Sequence, residues 1–244
     1  MSAAGPPNAR ARARRYQLVG LLFTAAVIAA VLIAVFTSTG AQRLAPGKPV
    51  PGAAKTPALF AGIPQHGAVL GRPRAPVTLV EFGDLQCPAC ATFAQKALPA
   101  IVAGYVRPGR LKLVFRPLTF IGGDSLRAAR VAVALGEQGR LWQFVDLMYR
   151  NQGLENSSYV NDTYLRALAT AIPGVDVTRA LAARSSPGVQ TQLAEAKALA
   201  AGRRVRETPS FLLYRSGAPP RGFTPQSLDS GSFTGPLDKL LASG

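Results

Sequence analysis

The chain is poor in cysteine, histidine and acidic side chains. Its 244 residues include 2 cysteines, 1 histidine and 12 acidic residues, against 28 lysines and arginines. Two cysteines exclude a small scaffold held together by several disulfides, and with one histidine they do not complete a tetrahedral zinc site. No segment is repeated along the chain. The hydrophobic fraction of 48% is enough to fill a core, so the composition also excludes a disordered protein.

The shortage of acidic residues leaves a formal net charge of +16. A basic, well-solvated surface explains this charge better than nucleic-acid binding, because most arginines are scattered singly along the chain. Two basic clusters are compact, at residues 10–15 and 203–206. The second cluster, Arg203, Arg204 and Arg206, is typical of a solvated helix end, and binding to an acidic partner or to lipid is the alternative.

One long uncharged stretch lies near the N-terminus, at Leu18–Phe36. As a helix rising about 1.5 Å per residue, it spans the roughly 30 Å hydrocarbon layer of a membrane. The arginines of the preceding tail, residues 1–17, predict a cytoplasmic N-terminus and an extracytoplasmic remainder. We therefore expect a single-pass protein of the cell membrane. A cleaved signal peptide ending near Thr39–Ala41 is the alternative, although the length of the apolar stretch favours an uncleaved anchor.

The rest of the chain divides into a linker and one folded domain. Residues 37–65 are rich in proline and glycine and show no sustained periodicity, so we predict a linker. Residues 66–244 then form the folded domain. Its only histidine, His66, is interpreted as an ordinary surface residue.

The chemical centre of the domain is a Cys-x-x-Cys pair that follows an apolar run. Residues 76–82 predict a central strand, and residues 87–106 predict a helix that begins at the first cysteine. Cys87 and Cys90 are spaced so that a disulfide can close within one helical turn. A helix N-terminus favours negative charge and therefore stabilises the Cys87 thiolate. Pro88 suits the first helical turn, where its missing N–H costs nothing.

The order of the remaining elements predicts an α/β domain. Pro99 predicts a kink in the first helix, and Leu111–Phe115 predicts a second strand, ended by Pro117 and parallel to the first. Periodic apolar residues predict a block of helices from about 124 to 202, with Trp142 in the core. Strand character returns after Thr208 and Pro209, and a helix is expected near the C-terminus.

This order resembles the thioredoxin-like fold, in its DsbA-like version with an inserted helical subdomain. The resemblance covers roughly residues 67–243. It rests on four short stretches: Glu81-Phe82 at the end of the first central strand, Cys87-Pro88-Ala89-Cys90, Phe115-Arg116-Pro117-Leu118, and Glu207-Thr208-Pro209-Ser210-Phe211.

The resemblance implies roles for the dithiol and the two residues between its cysteines. Cys87 matches the exposed nucleophile, and Cys90 matches the buried partner that closes the disulfide. Pro88 and Ala89 match the variable dipeptide that tunes the redox potential. Strongly oxidising members often carry Pro-His there, so Ala89 removes one source of thiolate stabilisation and leaves the direction of electron flow open.

The resemblance also implies roles for three residues outside that motif. Thr208 and Pro209 match a loop whose proline is cis and lies against the disulfide, where the Thr208 backbone holds a substrate strand. Glu81 matches an acidic residue beneath the buried cysteine that helps to move its proton. A partly exposed strand carboxylate without such a role is the alternative for Glu81.

The resulting hypothesis is a membrane-tethered, extracytoplasmic thiol–disulfide oxidoreductase that introduces disulfides into reduced exported proteins. The resemblance implies reoxidation by a quinone-linked membrane partner, DsbB-like or VKOR-like, without a bound cofactor, a metal or nucleic acid. One alternative is a reductase or isomerase working in the opposite direction. Another is a non-enzymatic chaperone or copper-binding module that uses Cys87, Cys90 and His66, since thiolates suit Cu(I).

Overall fold

The computed structural model describes residues 49–242, together with four isolated residues before them: Gln17, Val27, Ile28 and Leu44. The chain divides into two units, residues 1–40 and 41–244. The three described residues of the first unit are helical. In the part of the chain that the structure describes, no helix combines the length and the apolar character that crossing a membrane requires. The predicted anchor at Leu18–Phe36 lies outside the described residues, apart from Val27 and Ile28.

Six strands form one mixed sheet in the order β1-β2-β4-β3-β5-β6. They are β1 (Gln65–His66), β2 (Val69–Leu70), β3 (Val77–Asp84), β4 (Leu111–Leu118), β5 (Ser210–Arg215) and β6 (Arg221–Phe223). β3 and β4 are parallel, as predicted, and β5 runs antiparallel to β3. Every residue of β3 is buried, which is typical of a central strand that is covered on both faces.

Most of the helices lie in the connections of this sheet, while the first precedes β1 and the last follows β6. They are α1 (Thr56–Phe60), α2 (Pro88–Lys96), α3 (Leu98–Ile101), a π-helical turn (Val102–Val106), α4 (Gly123–Gly136), α5 (Leu141–Arg150), α6 (Asp162–Thr170), α7 (Val177–Ala183), α8 (Pro187–Gly202) and α9 (Gly231–Ala242). The crossover from β3 to β4 uses α2, α3 and the π-helical turn, and α4 to α8 lie between β4 and β5. The break between α2 and α3 is at Ala97, just before Pro99, because proline lacks the N–H of a helical hydrogen bond and restricts the preceding residues.

The core lies on both faces of the sheet. On one face, the rings of Phe93, Phe211 and Phe233 meet, with centroids of Phe93 4.9 and 5.0 Å from those of Phe211 and Phe233. Trp142 is buried in the same cluster, as predicted, and its Nε1–H donates to the Ala68 carbonyl at 3.1 Å. On the other face, Ala200 of α8 packs against β3, β4 and β5. Two-sided packing fixes the position of β3, which carries the dithiol at its end.

The structure corrects the predicted linker. Part of residues 37–65 forms α1, where Thr56 and Phe60 are 1% and 2% exposed. The Asn151 amide donates to the Pro51 carbonyl at 3.0 Å, and Thr56 hydrogen-bonds to Asp146. The stretch from Val50 onwards is therefore packed against the domain. A five-residue helix is too short to show the periodicity by which longer helices are recognised.

The predicted end of the second strand at Pro117 is also wrong, since β4 continues to Leu118. The Phe115 N–H donates to the Ala68 carbonyl, on the β2 side of β4. Because N–H groups alternate along a strand, the missing N–H of Pro117 falls on that same side, past the end of β2. Pro117 therefore removes no hydrogen bond between strands.

Candidate active site

The dithiol lies where β3 ends and α2 begins. The Cys87 N–H donates to the Asp84 carbonyl at 3.0 Å, which closes a tight turn between the two elements. Cys87 has extended backbone angles, φ −72° and ψ 120°, and is the N-cap residue of α2. Both cysteines are free thiols, and Cys87 is 7% and Cys90 0% exposed. Both cysteines are therefore buried, which corrects the exposed position that the resemblance implies for Cys87, and only Cys87 keeps a small exposed fraction.

The surroundings of Cys87 stabilise its thiolate. A hydrogen bond from the Cys90 thiol lowers the pKa of Cys87 to about 6, with further contributions from the Thr208 side chain and the N–H groups of Cys90 and Ala89, while burial opposes the shift. Ala89 contributes through its backbone, and its methyl group has no polar atom to add. Pro88 is exposed and Ala89 half-buried in the first turn of α2.

The pKa values of Cys90 and Glu81 are shifted in the opposite direction to that of Cys87, upwards. Burial, the hydrogen bond to Cys87 and the charge of Glu81 raise the pKa of Cys90 well above its ordinary value. Burial, together with the charge of Cys87, raises the pKa of Glu81 to about 8. Glu81 is 3% exposed on β3, so the alternative of a partly exposed carboxylate is wrong. At neutral pH this carboxyl group holds a proton beside the buried thiol.

The loop before β5 brings Thr208 and Pro209 to the dithiol. The Thr208–Pro209 peptide bond is cis, as the resemblance implied. The Cys87 thiol donates to the Thr208 carbonyl at 3.1 Å, although 121 residues separate the two in sequence. β5 follows at Ser210, which lies opposite Phe82 of β3, so the pairing of two strands sets this contact.

Sequence reasoning missed a buried carboxylate at the end of β3. Asp84 is 0% exposed, and its side chain accepts hydrogen bonds from the Gln86 N–H at 2.9 Å, the Ile121 N–H at 3.0 Å and the Ser125 hydroxyl at 2.6 Å. These donors satisfy both buried oxygen atoms of the side chain. They also tie the turn that carries Cys87 to the start of α4. The only signal in sequence is an acidic residue after a strand, which is common in loops.

The loop between α5 and α6, residues 151–161, holds the same turn from the other side. The Gln152 amide donates to the carbonyls of Leu85 and Cys87, at 3.1 Å each. The Asn156 N–H donates to the Gln86 side chain at 2.8 Å. Asparagine and glutamine are ordinary in polar loops, so nothing in the sequence marks these two residues.

The described residues contain no group of three or more histidine, cysteine, aspartate or glutamate side chains arranged to hold a metal ion. His66 is exposed on β1, an edge strand three positions from β3 in the sheet. The structure therefore does not bring His66 to the thiols, as the copper-binding alternative requires. Its interpretation as a surface residue is confirmed.

Fold and site together define a thioredoxin-fold protein with a buried dithiol at a helix N-terminus and an inserted helical subdomain. A family model described as thioredoxin matches residues 65–215, which is more than half of the chain. The chain therefore belongs to the thioredoxin family.

Curated relatives and a solved structure support the assignment to the thioredoxin family. Probable disulfide bond formation protein D of Bacillus cereus is 37% identical over 111 residues, which are 44% of this chain and 51% of the relative. Disulfide bond formation protein D of Bacillus subtilis is 32% identical over 103 residues, or 41% and 46% of the two chains. The chain thus spans about half the length of the curated relatives it matches. The structure of BdbD from Bacillus subtilis in its oxidised form shares the fold, with a TM-score of 0.62 and 22% identity over 74% of this chain and 98% of that one.

Proposed function

We propose that this protein is a thiol–disulfide oxidoreductase that introduces disulfides into reduced exported proteins. The observation that carries the proposal is a nucleophilic sulfur whose pKa is lowered to about 6, beside a cis-proline loop and above a buried thiol. A stabilised thiolate favours the reduced dithiol, which makes the disulfide a stronger oxidant. The relatives named disulfide bond formation protein D support the same direction.

The exchange proceeds in two steps. A substrate thiolate attacks the Cys87 sulfur of the Cys87–Cys90 disulfide, forms a mixed disulfide and releases Cys90 as a thiolate, which takes a proton from Glu81. A second substrate thiolate then attacks the substrate sulfur of the mixed disulfide and releases Cys87 as a stable thiolate. The substrate loses two electrons, and Cys87 and Cys90 gain them.

The surface around the sulfur suits an unfolded polypeptide. Phe120 and Leu154 are 51% and 69% exposed. Each is close in sequence to a residue that is hydrogen-bonded to the active-site turn, because Ile121 donates to Asp84 and Asn156 to Gln86. We infer that these two apolar side chains, on loops attached to the active-site turn, contact apolar segments of a bound substrate. The Thr208 backbone then holds the substrate strand.

The proposal includes a membrane anchor. The uncharged stretch Leu18–Phe36, preceded by a basic tail, supports an uncleaved single helix with the N-terminus in the cytoplasm and the domain outside. Disulfides persist in that oxidising compartment. A quinone-linked membrane protein, DsbB-like or VKOR-like, reoxidises the dithiol and completes the cycle.

The decisive experiment measures oxidation of a reduced two-cysteine peptide by the full-length protein in detergent. We expect Cys87→Ser and Cys90→Ser each to abolish oxidation, because neither variant can form the Cys87–Cys90 disulfide. When the peptide is supplied in its oxidised form, only Cys90→Ser, which keeps the Cys87 nucleophile, should form a mixed disulfide with it. Oxidation by Cys87→Ser at the wild-type rate contradicts the mechanism. The reduction potential tests the direction. We expect a value between about −270 mV, that of thioredoxin, and about −120 mV, that of DsbA, and a value at or below the thioredoxin end favours the reductase alternative.

A further inference from the structure

A small space above Gly83 brings two buried oxygen atoms together beneath the dithiol. A Cβ atom placed on Gly83 lies 2.8 Å from the Tyr149 Oη atom and 3.1 Å from the Glu81 Oε1 atom. The same Cβ lies 2.7 Å from a ring carbon of Phe115, so that ring closes the space. Any side chain at residue 83 would displace one of these three groups. Only glycine therefore allows the Tyr149 phenol and the Glu81 carboxyl group to lie in the same space.

Both oxygen atoms are short of hydrogen-bond partners. Glu81 Oε1 and Tyr149 Oη are buried and make no hydrogen bond of ordinary geometry among the described residues, and the one polar contact of the phenol is with the Cys90 sulfur, which contributes to its raised pKa. Buried polar atoms in native proteins are rarely left unpaired, so two of them in one space point to a role beyond packing. None of the ion pairs among the described residues includes Glu81. Its charged form therefore has no cation to offset the cost of burial.

We propose that Tyr149 is a positioning residue for proton transfer in this site, whose hydroxyl donates a hydrogen bond to the Glu81 carboxylate formed when Glu81 protonates Cys90. This inference rests on the proposed thiol–disulfide exchange. The proton moves from the Glu81 carboxyl to the Cys90 thiolate, and the negative charge moves from sulfur to carboxylate. The phenol keeps its own proton and gains a charged acceptor, and such hydrogen bonds are stronger than neutral ones.

The groups that face Tyr149 are consistent with this role. They are Cys90 on α2, together with Glu81 and Asp84 on β3. Burial first, and then the negative charges of Cys90 and Glu81, raise the pKa of Tyr149 well above its ordinary value. The phenol therefore stays protonated, and remains a donor, throughout the pH range in which Glu81 and Cys87 titrate.

The test measures reduction of the Cys87–Cys90 disulfide by dithiothreitol, which releases Cys90 whatever the direction of electron flow in the cell. Rates are compared from about pH 5 to about pH 9 for the full-length wild type, Tyr149→Phe, Glu81→Gln and the double variant. We expect Tyr149→Phe to slow reduction about threefold to tenfold near neutral pH. Because the Glu81 carboxylate loses a donor, the part of the rate–pH profile that reports ionisation of Glu81 should move to higher pH. In the Glu81→Gln background the same change has little further effect, because the carboxylate is absent.

Tyr105→Phe is the matched control. Its buried hydroxyl donates to Asp238 at 2.8 Å, away from the dithiol, so its loss lowers stability without moving the pH profile. The inference is overturned if the rate–pH profile of Tyr149→Phe lies at the same pH as that of the wild type. It is also overturned if Tyr149→Phe slows reduction equally in the wild-type and Glu81→Gln backgrounds. If the wild type fails to oxidise the peptide but Tyr149→Phe still shifts the dithiothreitol profile, the proposed function fails and the role of Tyr149 stands.

Discussion

At the scale of single residues, the chemistry depends on two thiols one helical turn apart whose acidities differ. Cys87 is at the N-cap position, where N–H groups of the first turn point towards its sulfur. Cys90 lies one turn further along and is fully buried. One backbone geometry thus favours charge on the first sulfur and disfavours it on the second. A Cys-x-x-Cys pair elsewhere in a helix lacks this difference.

The thiolate of Cys87 should form at unusually low pH. We expect its ultraviolet absorbance in the reduced protein to reach half its maximum at about pH 6. The hydrogen bond from Cys90 is the largest cause of the low pKa, so Cys90→Ala should raise the midpoint. The Cys87→Ser variant, which should lose the transition, is the control. A midpoint near about 8.5, the ordinary value for cysteine, contradicts the structure.

Because the pKa of Cys87 differs between the folded and unfolded chain, the stability of the reduced protein should depend on pH. Between about pH 6 and about pH 8.5 the unfolded chain binds a proton at Cys87 that the folded chain does not. Cys87 therefore stabilises the reduced protein above that range, and this contribution is lost as the pH falls through 6. Glu81 acts oppositely, because the stability gained below its unfolded pKa of about 4.3 is lost as the pH rises through 8. Measuring the free energy of unfolding against pH for the reduced wild type and for Cys87→Ser isolates the contribution of Cys87, since the variant lacks only that thiol.

At the scale of elements, the strand–turn–helix unit is held by loops from elsewhere in the chain. β3 and α2 follow from a local apolar run and a proline at the first helical position. The turn between them is fixed by the 151–161 loop and by the start of α4. These contacts link residues about 40 to 70 positions apart, and polar loop residues give no periodic pattern from which to predict them.

Gln152 should measurably stabilise the active-site turn. We expect Gln152→Met to lower the free energy of unfolding by about 1–2 kcal/mol, because the carbonyls of Leu85 and Cys87 both lose a donor. Urea unfolding of the reduced protein measures the change. Gln190→Met is the control, since it removes a single 2.9 Å hydrogen bond to the Ser185 carbonyl on an exposed helix and should cost less than about 0.5 kcal/mol. Equal losses for the two variants would show that Gln152 is an ordinary surface residue.

At the scale of the whole molecule, the segment before the sheet is part of the folded domain. Thr56 hydrogen-bonds to Asp146, which is also paired with Arg150 at 2.8 Å. The Arg107 guanidinium donates to the carbonyls of Leu59 and Ala61 at 2.9 and 2.6 Å. These contacts attach α1 to α5 and to the end of the crossover. The proposed tether at Leu18–Phe36 would therefore join the domain ahead of α1.

Phe60 tests this attachment. It is 2% exposed and its ring centroid lies 6.5 Å from that of Trp142. We expect Phe60→Ala to cost about 3–5 kcal/mol of unfolding free energy, as for other buried phenylalanines. Leu154→Ala, at a residue 69% exposed, should leave stability nearly unchanged. If Phe60→Ala unfolds at the same urea concentration as the wild type, the segment that contains α1 is a linker and not part of the folded domain.

The sequence by itself determined the features that depend on local patterns. The apolar runs, Pro88 after Cys87 and the helical block after the second strand are local features, and they were sufficient to predict an α/β domain and the position of the dithiol. The thioredoxin-like fold itself was predicted from the resemblance to the DsbA-like family. Only the tertiary structure decided what surrounds that dithiol. The full burial of Glu81, the contact of Thr208 with Cys87 and the approach of Tyr149 over Gly83 depend on strand pairing and helix packing. Residues far apart in sequence meet around the dithiol, and no local sequence pattern predicts which of them will be in contact.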